Sequence, residues 1–483
     1  MWTNLLPSTD NRDPTVYLGP PDAFAPKGRL EIKIPWRSNK RPKRNFNHVW
    51  ARDNATVKKL STEELNLYRS AIQKLVDSGF ATPTKKNGDM HYIACRPVIK
   101  KSRVSTKCRL CLDAREINRY TYPGLTFCQP IANCLIKFRA AKYVVLYDLC
   151  QAFWQLRYHS PDRGWFCTIL EGQPLSFERM VFGANFSPSG LEVALNFLHR
   201  RAQEYLLTMN RPEPDEPVRP ADLNNVFSYV DDFAHVGDDM HEVLTQSCWY
   251  RWWLNNHGFP SDKVVNNLGN DGLTTYLGYQ YDTKTDTLKA IIPQMDPSTI
   301  PLDPQLHQVV ALISRLYDPL GLELHLQLFG RAIVREAFAR IPNGPDVPNQ
   351  SESQSKWLST SPGIGPLIEE FVKRLSIELH SVKRATVPNE LNVFTDASSV
   401  AWVFEIRDAN YELVCAKGGL VCPSYTIPRN ELIATHAATT FLKGFVETVP
   451  VKQITIFTDS LCTVQRLNAH CNEKVPAFEE IRD

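Results

Sequence analysis

Three aspartates at the ends of apolar segments are the residues whose chemistry stands out in this 483-residue chain. Segment 142–159, KYVVLYDLCQAFWQLRYH, predicts an apolar strand that leads into Asp148. Segment 224–239 predicts a strand, a tight turn and a second strand, with Asp231 and Asp232 at the tip. Adjacent carboxylates in a half-buried hairpin repel each other, so a fold that keeps them is expected to neutralise them with cations.

The chemistry of these acids is that of a divalent metal site. Oxygen ligands suit hard cations, and Mg2+ prefers one or two carboxylates together with substrate phosphate. Three acids on two neighbouring strands predict a site for two Mg2+ ions about 4 Å apart, with Mn2+ as a substitute. In such a site one ion activates a primer 3′-hydroxyl, and the other holds the triphosphate and the departing pyrophosphate.

A second set of acids occupies the C-terminal part of the chain. The pattern predicts a strand ending at Asp396, an amphipathic helix with Glu431 near its start, and a strand ending at Asp459. Pro428 falls in the first turn of that helix, where proline is tolerated. Each acid alone is typical of a solvated surface, but the three together form a second candidate set of metal ligands.

Several motifs around the first set resemble those of reverse transcriptases. The YVDD sequence at 229–232 resembles their YxDD box, Asp148 resembles their first metal-binding aspartate, and segment 107–118 resembles their fingers segment. The resemblance implies contacts with the incoming nucleotide for five further residues: Lys101, Arg109, Phe153, Gly183 and Lys263.

The implied roles of these residues differ. Lys101 and Arg109 would touch the triphosphate, and Phe153 matches the steric gate that rejects a ribose 2′-hydroxyl. Lys263 lies near the position of a general acid for pyrophosphate, although a surface lysine is an equally good interpretation. Phe182, beside Gly183, stands where retroviral enzymes carry Gln and where long-terminal-repeat retrotransposons often carry Phe.

The order of the motifs resembles that of the BEL/Pao group of retrotransposons. Segments 28–36, 277–288 and 314–336 follow the layout of this group, and the Asp-Pro-Leu-Gly turn at 318–321 is the most group-specific of them. The resemblance covers residues 30–480 approximately.

The second set of acids resembles the metal ligands of ribonuclease H domains by order and context. The resemblance implies that Asp396, Glu431 and Asp459 hold two Mg2+ ions, which would activate water against an RNA phosphodiester. Those domains need a fourth acid after a further strand and helix, whereas this sequence ends at Asp483. Glu479, Glu480 and Asp483 sit in the wrong context to replace it. We therefore expect a C-terminally incomplete ribonuclease H domain whose hydrolytic activity is uncertain.

The predicted fold class is α+β, with a right-hand polymerase of fingers, palm and thumb followed by a truncated ribonuclease H-like α/β domain. The predicted boundaries are 1–45 for a flexible N-terminal arm, 46–295 for fingers and palm, 296–385 for thumb and connection (the Pao-type region), and 386–483 for the ribonuclease H-like domain.

Three other patterns allow more than one interpretation. The octet 37–44 holds five positive charges and no acid, so it is either a solvated loop or an arm that contacts phosphate. The aromatic cluster at 249–253 could stack bases, but packing of the palm is favoured at helical spacing. Cys108 and Cys111 have the spacing of metal ligands, but in a strand they point to opposite faces, which argues against zinc.

The composition and the absence of certain motifs argue against several classes of protein. Hydrophobic residues make up 43% and charged residues 22%, as in folded soluble proteins, and the net charge of +3 does not itself indicate nucleic acid. No apolar run reaches the roughly 18 residues of a membrane span. No signal peptide is evident, and twelve scattered cysteines fit a reducing compartment. The absence of a glycine-rich phosphate loop argues against ATPase or nicotinamide chemistry.

The sequence therefore predicts an RNA-directed DNA polymerase of a retrotransposon. The expected partners are deoxynucleoside triphosphates, an RNA or DNA template-primer duplex and the other polyprotein products (Gag, protease and integrase), with no membrane. The expected location is intracellular, in a cytoplasmic particle or the nucleus. Two alternatives stay open: a decayed, non-catalytic element product that only binds nucleic acid, and a host-adapted structural protein.

Overall fold

The computed structural model describes residues 12–85, 90–100, 107–125, 130–209, 211–268, 272–291, 304–339, 363–377 and 379–471. The chain divides into two compact units. The first unit comprises Met1–Gln129, Leu146–His235 and Met240–Val264, and the second comprises Pro130–Val145, Val236–Asp239 and Val265–Asp483. The domain boundaries expected from the sequence stay predictions.

The strands of the described residues, in chain order, are β1 (Thr15–Leu18), β2 (Leu30–Lys33), β3 (Ala81–Pro83), β4 (Tyr92–Ile99), β5 (Cys108–Asp113), β6 (Tyr143–Leu149), β7 (Arg157–Tyr158), β8 (Cys167–Leu170), β9 (Gln173–Phe177), β10 (Val226–Tyr229), β11 (Asp232–Gly237), β12 (Ser261–Asn266), β13 (Leu273–Tyr276), β14 (Tyr279–Asp282), β15 (Thr287–Ala290), β16 (Ser381–Lys383), β17 (Glu390–Ala397), β18 (Ala401–Arg407), β19 (Leu413–Leu420) and β20 (Gln453–Thr458).

The helices are α1 (Phe46–Val57), α2 (Thr62–Asp77), α3 (Arg115–Asn118), α4 (Ile131–Ala140), α5 (Ala152–Gln155), α6 (Ser187–Thr208), α7 (Met240–Asn256), α8 (Leu306–Ile313), α9 (Leu324–Ala339), α10 (Ile364–Ile377), α11 (Ile427–Val446) and α12 (Leu461–Cys471). A 3₁₀ helix covers Ser160–Trp165. None of the helices in the described ranges combines the length and the apolar character that crossing a bilayer requires.

The first unit is built around a five-stranded sheet of order β3-β9-β8-β4-β5 and a four-stranded sheet of order β10-β11-β6-β12. Helix α2 follows the expectation from the sequence: the Ser61 side chain accepts from the Glu64 N–H, and the Glu64 carboxylate accepts from the Ser61 N–H. This capping box satisfies two N–H groups that the first turn leaves without partners. The two predicted strands around the basic loop are also present, as the antiparallel pair β4–β5.

The N-terminal segment differs from the predicted flexible arm over residues 12–45. Strands β1 and β2 pair antiparallel, and β2 runs parallel to β7. Leu30 and Ile32 have no exposed surface, and Arg29 donates to Asp22 and Gln155. The proline and glycine content indicated a linker, but a short apolar strand gains enough burial when neighbouring strands supply its hydrogen bonds.

Helix α7 uses its aromatic residues for packing, as the sequence favoured. Trp249 and Tyr250 have no exposed surface, and Trp253 is 5% exposed. The rings of Trp249 and Trp253 stack at 5.8 Å, and the Trp253 indole N–H donates to the Leu198 carbonyl oxygen on α6. These three side chains therefore belong to the core of the first unit.

The second unit contains two four-stranded sheets, of order β13-β14-β15-β16 and β19-β18-β17-β20. Helices α8, α9 and α10 bury a separate apolar core that includes Val309, Leu326 and Phe371. Strand β20 lies at the edge of its sheet, and Ile454, Ile456 and Phe457 are exposed along it.

The group-specific turn at 318–321 is a buried hydrogen-bonded joint of the second unit. The Asp318 carboxylate accepts from the Leu322 and Glu323 N–H groups (3.0 and 2.8 Å) and from the Tyr279 hydroxyl. Gly321 has φ +73°, and a Cβ there would clash with the Ala416 carbonyl. Only glycine fits this position, so the turn closes tightly on strand β19.

Two buried arginines join other parts of the second unit. Arg384 forms an ion pair with Asp286 (2.6 Å) and donates to the Phe138 and Ala141 carbonyl oxygens. Arg139 donates to the Arg384 carbonyl oxygen (3.1 Å) and to backbone carbonyls on β16 and β19. Buried charge is tolerated only when it is paired or fully hydrogen-bonded, so these contacts link the end of α4 to both sheets.

Glu216 forms a buried polar node in the loop before β10. Its side chain has no exposed surface, and its oxygens accept from Arg219 (2.6 Å), the Trp249 indole N–H (2.8 Å) and the Tyr205 hydroxyl (3.0 Å). Burial opposes ionisation, but the hydrogen bonds outweigh it and lower the pKa of Glu216 to about 2.

We expect Glu216→Gln to lower the free energy of unfolding by about 1–3 kcal/mol at neutral pH, because it removes charged hydrogen bonds from a buried site. The folded pKa lies below the ordinary value of 4.5, so this stabilisation is present above that pH and is lost as the pH falls towards 2. Urea denaturation at about pH 7 and pH 3 measures the effect, with exposed Glu204→Gln as control. An equal loss at both pH values would contradict the assignment.

Candidate active sites

The first acidic site consists of Asp148, Asp231 and Asp232, which lie on adjacent strands of the four-stranded sheet of the first unit. Asp148 is the penultimate residue of β6, and Asp232 is the first residue of β11, its neighbour in the sheet. Leu149 donates its N–H to the Asp231 carbonyl oxygen at 3.0 Å. This bond fixes the end of β6 against the hairpin turn, so the structure brings the three acids to one edge of the sheet.

The hairpin turn itself is strained. Tyr229 pairs with Asp232, which leaves Val230 and Asp231 as a two-residue loop. Val230 has φ +59°, a conformation that β-branched residues rarely adopt and that costs about 1–3 kcal/mol. Two-residue hairpin loops need positive φ to match the twist of the strands. The turn accepts this strain and thereby holds Asp231 beside Asp232.

Burial and the neighbouring carboxylates disfavour ionisation of Asp231 and Asp232. Burial raises the pKa of Asp232 to about 8, aided by a side-chain hydrogen bond with Asp148 and by the charges of Asp148 and Asp231. Burial also raises the pKa of Asp231, and the Asp148 charge adds to this. Without a cation, burial and the neighbouring charges therefore favour the protonated form of Asp232.

Lys263 is the cation that the structure places at this site. Its Nζ donates to Asp148 Oδ2 at 2.6 Å, and this bond raises the pKa of the lysine. The side chain is 71% exposed, so the bond is a surface ion pair that contributes little stability. Lys263 thus acts as a counter-ion of Asp148 in this state.

A divalent ion fits the first acidic site through its donor chemistry. Asp148 and Asp232 are two hydrogen-bonded carboxylates, and Mg2+ uses one or two protein carboxylates together with substrate phosphate. The three acids do not, however, bring an oxygen each within 4.8 Å of one another; among the described residues only the second acidic site does so. Asp148 and Asp232 would therefore be the main ligands, with Asp231 beside them.

Two of the residues with implied nucleotide contacts share a cavity of about 690 Å3 in the first unit. Arg109 of β5 and Gly183 both line it. Gly183 has φ +94°, and a Cβ there would lie 3.0 Å from the Leu112 carbonyl oxygen. Glycine is therefore required for the chain to pass this close to β5. The nucleotide contacts of Arg109 and Gly183 stay predictions.

The ring of Phe182 covers Phe153, the predicted steric gate. The rings of Phe153 and Phe182 lie 4.7 Å apart, and Phe182 also contacts Trp154 at 5.9 Å. Phe153 is 9% exposed, whereas Phe182 is 47% exposed and lines the cavity. Phe182 thus presents the exposed ring, with the predicted steric gate beneath it. Lys101 lies outside the described residues.

The second acidic site consists of Asp396, Glu431 and Asp459, whose carboxylate oxygens all lie within 4.8 Å of one another. Strands β17 and β20 run parallel, with Thr395 opposite Thr458, so Asp396 and Asp459 follow at the same edge of the sheet. Glu431 comes from the first turns of α11. Convergence of the three acids follows from this topology.

Glu431 has a buried carboxylate oxygen that could bind a metal ion. Its Oε1 accepts from the Ala397 N–H at 3.1 Å, whereas its Oε2 is buried without a hydrogen-bond partner in the structure. Burial raises the pKa of Glu431, and the charges of Asp396 and Asp459 raise it further. An unpartnered buried oxygen facing two other carboxylates suits a divalent cation. Glu479, Glu480 and Asp483 lie outside the described residues.

Sequence reasoning missed Asn430. Its side-chain amide donates to the Ser398 carbonyl oxygen at 2.9 Å, and the residue has no exposed surface. Together with the bond from Glu431 to Ala397, this holds the end of β17 against α11. The signal available in the sequence was an amide residue next to an acid near the start of a predicted amphipathic helix.

In the absence of divalent ions, we expect Asp232→Asn to stabilise the chain at about pH 8.5. The folded-state pKa of about 8 exceeds the ordinary 3.8, so wild-type stability falls as pH rises between these values. The amide removes this pH dependence. Since one pKa unit corresponds to about 1.4 kcal/mol, urea denaturation should show a gain of at least about 1 kcal/mol. The same pH dependence of the free energy of unfolding in Asp232→Asn, in wild type and in the exposed control Asp222→Asn would contradict the raised pKa of Asp232.

Loss of Glu431 should weaken ion binding at the second acidic site. A ligand at a hundred times its Kd stabilises a protein by about 2.7 kcal/mol. In an Asp232→Asn background, which disables the first site, Glu431→Gln should remove most of the Mg2+-dependent rise in Tm. Glu447→Gln, at the exposed other end of the same helix, is the matched control and should retain it. Equal Mg2+ responses in the two variants would exclude Glu431 as a ligand.

Comparison with protein families identifies one domain. The family model for the Pao retrotransposon-like RNaseH-like domain matches residues 306–460. This range contains the whole second acidic site, the turn at 318–321 and helices α8, α9 and α10. No curated protein matches the chain.

Solved structures of foamy viral protease-reverse transcriptases share the fold. The structure described as dRH in complex with ds DNA has a TM-score of 0.61 at 15% identity, over 89% of this chain and 67% of that chain. The structure with an RNA/DNA hybrid has a TM-score of 0.58 at 14% identity, over 92% and 53%. A further structure with dsDNA has a TM-score of 0.53 at 16% identity, over 89% and 80%. This chain therefore spans about half the length of the second of these chains.

These findings confirm the predicted fold class, since the mixed α+β architecture is that of a retroviral reverse transcriptase with an RNase H-like domain. The Pao-type match covers residues 306–460, and the likeness to the foamy viral structures is one of fold. The chain therefore contains a Pao retrotransposon-like RNaseH-like domain, within a fold similar to that of a reverse transcriptase.

Proposed function

We propose that the chain is an RNA-directed DNA polymerase of a retrotransposon, which transfers deoxynucleotides to a primer 3′-hydroxyl. The observation that carries this proposal is the hydrogen-bonded Asp148–Asp232 pair at the edge of the sheet, with Lys263 at 2.6 Å from Asp148. A fold retains repelling carboxylates in this arrangement when a cation neutralises them.

In this proposal Asp148 and Asp232 hold divalent ions, Mg2+ by preference and Mn2+ as a substitute. When bound, such ions activate the attacking hydroxyl and neutralise the charge of the departing pyrophosphate. The protein contributes a prearranged site, because the Val230 turn is already strained and β6 is fixed at Leu149 before any substrate binds.

Lys263 needs to leave Asp148 before it can act on pyrophosphate. The bond to Asp148 raises its pKa and makes it a weaker acid. We propose that Lys263 is first a counter-ion for Asp148, and that it becomes available to a phosphate oxygen once a divalent ion replaces it there. The general-acid role is therefore conditional on occupancy of the site.

The cavity that Arg109 and Gly183 line is the proposed place of the incoming nucleotide. Arg109 would pair with phosphate oxygens, and the absence of a side chain at Gly183 lets the backbone approach closely. Phe153, with Phe182 above it, would exclude a ribose 2′-hydroxyl by contact. Lys101 is proposed as a second triphosphate contact.

The proposed partner is a template-primer duplex of RNA or DNA. The similar foamy viral structures hold dsDNA and an RNA/DNA hybrid. A polymerase must read many sequences, so the duplex would be recognised by its backbone and its A-like shape.

A second candidate function is cleavage of the RNA strand at the second acidic site. The close approach of Asp396, Glu431 and Asp459 and the unpartnered Glu431 oxygen support it. Bound Mg2+ would activate water against an RNA phosphodiester. An RNA/DNA hybrid labelled in the RNA tests this, with Asp396→Asn as the variant that should abolish cleavage.

Primer extension on an RNA template tests the first proposal. Wild type should incorporate deoxynucleotides with Mg2+, and Asp148→Asn or Asp232→Asn should each reduce the rate by at least about a thousandfold, as loss of central catalytic groups does. Asp222→Asn, an exposed acid in the loop before β10, should retain wild-type activity.

The outcomes also separate the alternatives. Duplex binding by wild type without incorporation in Mg2+ or Mn2+ would favour a decayed element product that only binds nucleic acid. Tolerance of Asp148→Ala, with no loss of any biochemical activity, would favour a host-adapted structural protein.

A further inference from the structure

The two strands that carry Asp148 and Asp232 are joined on their opposite face by a buried polar pair. Tyr147 precedes Asp148 on β6, and His235 lies on β11; successive strand residues point to opposite faces. The Tyr147 hydroxyl lies 3.1 Å from His235 Nε2, and the two residues are 2% and 0% exposed. The Tyr147 ring also stacks on Phe233, the neighbour of Asp232, at 5.3 Å.

A polar pair in this position needs an explanation, because burying a hydroxyl and an imidazole costs free energy that two apolar side chains would not. A shift of two residues between neighbouring strands keeps every side chain on its own face, so an apolar core distinguishes poorly between the two registers. A hydrogen bond between Tyr147 and His235 exists in only one of them, since it depends on distance and angle. Burial lowers the pKa of His235 to about 3, so the ring is neutral and offers one donor and one acceptor nitrogen.

Arg251 extends the contact to a third strand. Its guanidinium lies 5.8 Å from the centre of the Tyr147 ring, and its Nε donates to Ser261 Oγ at 2.9 Å. Ser261 begins β12, which is the other neighbour of β6 and which carries Lys263. Tyr147 therefore contacts groups on or attached to both strands that flank β6.

We infer that Tyr147 and His235 are positioning residues whose hydrogen bond sets the register of β6 against β11 and thereby keeps Asp148 in contact with Asp232. A two-residue slip would leave the apolar contacts of the core similar and separate the two acids. The effect on catalysis rests on the proposed polymerase function, whereas the effect on register does not.

Tyr147→Phe tests this inference, because it keeps the ring and its stack and deletes only the hydroxyl. The matched control is Tyr158→Phe: Tyr158 is fully buried in the same unit, and its hydroxyl accepts from the Val181 N–H at 3.1 Å. Residue-resolved hydrogen exchange should show the Leu149 amide exchanging at least about tenfold faster in Tyr147→Phe than in the control, because local opening is then easier. Amides of α6 should exchange at wild-type rates in both variants, which excludes general unfolding.

Primer extension supplies the second readout. Tyr147→Phe should lower kcat about tenfold, a typical effect of losing a supporting contact behind a metal ligand, with an unchanged KM for the nucleotide. His235→Leu should reproduce both effects, and the double variant should add nothing because the two changes delete one bond.

The outcomes distinguish this inference from the polymerase proposal. Equal Leu149 exchange in Tyr147→Phe and Tyr158→Phe would overturn the inference, whatever the activity. Wild type without incorporation would overturn the polymerase proposal, and the exchange measurement would still decide on the positioning role.

Discussion

The close approach of Asp148 and Asp232 is the constraint on which the first unit depends. Two carboxylates that share a buried edge of a sheet cost free energy, as the raised pKa of Asp232 shows. Lys263 places a positive charge beside Asp148, although this exposed contact contributes little stability. The tight turn at Val230 and the bond from the Leu149 N–H to the Asp231 carbonyl oxygen hold the hairpin tip against the end of β6. A divalent cation that takes the place of the lysine would stabilise such a site.

The second unit also brings three carboxylates together, but with different secondary-structure elements. Asp396 and Asp459 follow parallel strands, and Glu431 reaches them from the start of α11. Asn430 and Glu431 both bond the segment after Asp396, so one helical turn orients the site. Here no lysine balances the acids in the contacts that the structure describes, and one Glu431 oxygen stays without a hydrogen-bond partner. This site is therefore the more open of the two towards a cation.

Local patterns in the sequence predicted the acids and their strands because an apolar run that ends in Asp is visible in a few residues. The helix from Thr62 and the packing of Trp249 were predictable for the same reason: capping and helical spacing are local. The pairing of the N-terminal strands was not predicted, because β2 lies between nearby β1 and distant β7, and β7 is more than a hundred positions away in the sequence.

Pairs that are distant in the sequence set the remaining features. Tyr147 reads as one more residue of an apolar strand, and only the pairing of β6 with β11 brings His235 to its hydroxyl. The cover of Phe182 over Phe153 and the carbonyl cage around Arg139 likewise depend on tertiary structure. Polar residues inside apolar strands are nevertheless a usable signal, because a buried hydroxyl or imidazole needs a partner.

A crystal structure of the chain soaked in Mn2+, with anomalous scattering recorded at the manganese edge, tests the central claim most directly. The account predicts an anomalous peak coordinated by Asp148 and Asp232, with Lys263 displaced from Asp148. Absence of a peak there, with the Lys263–Asp148 contact intact while manganese occupies the site at Asp396, Glu431 and Asp459, would contradict it.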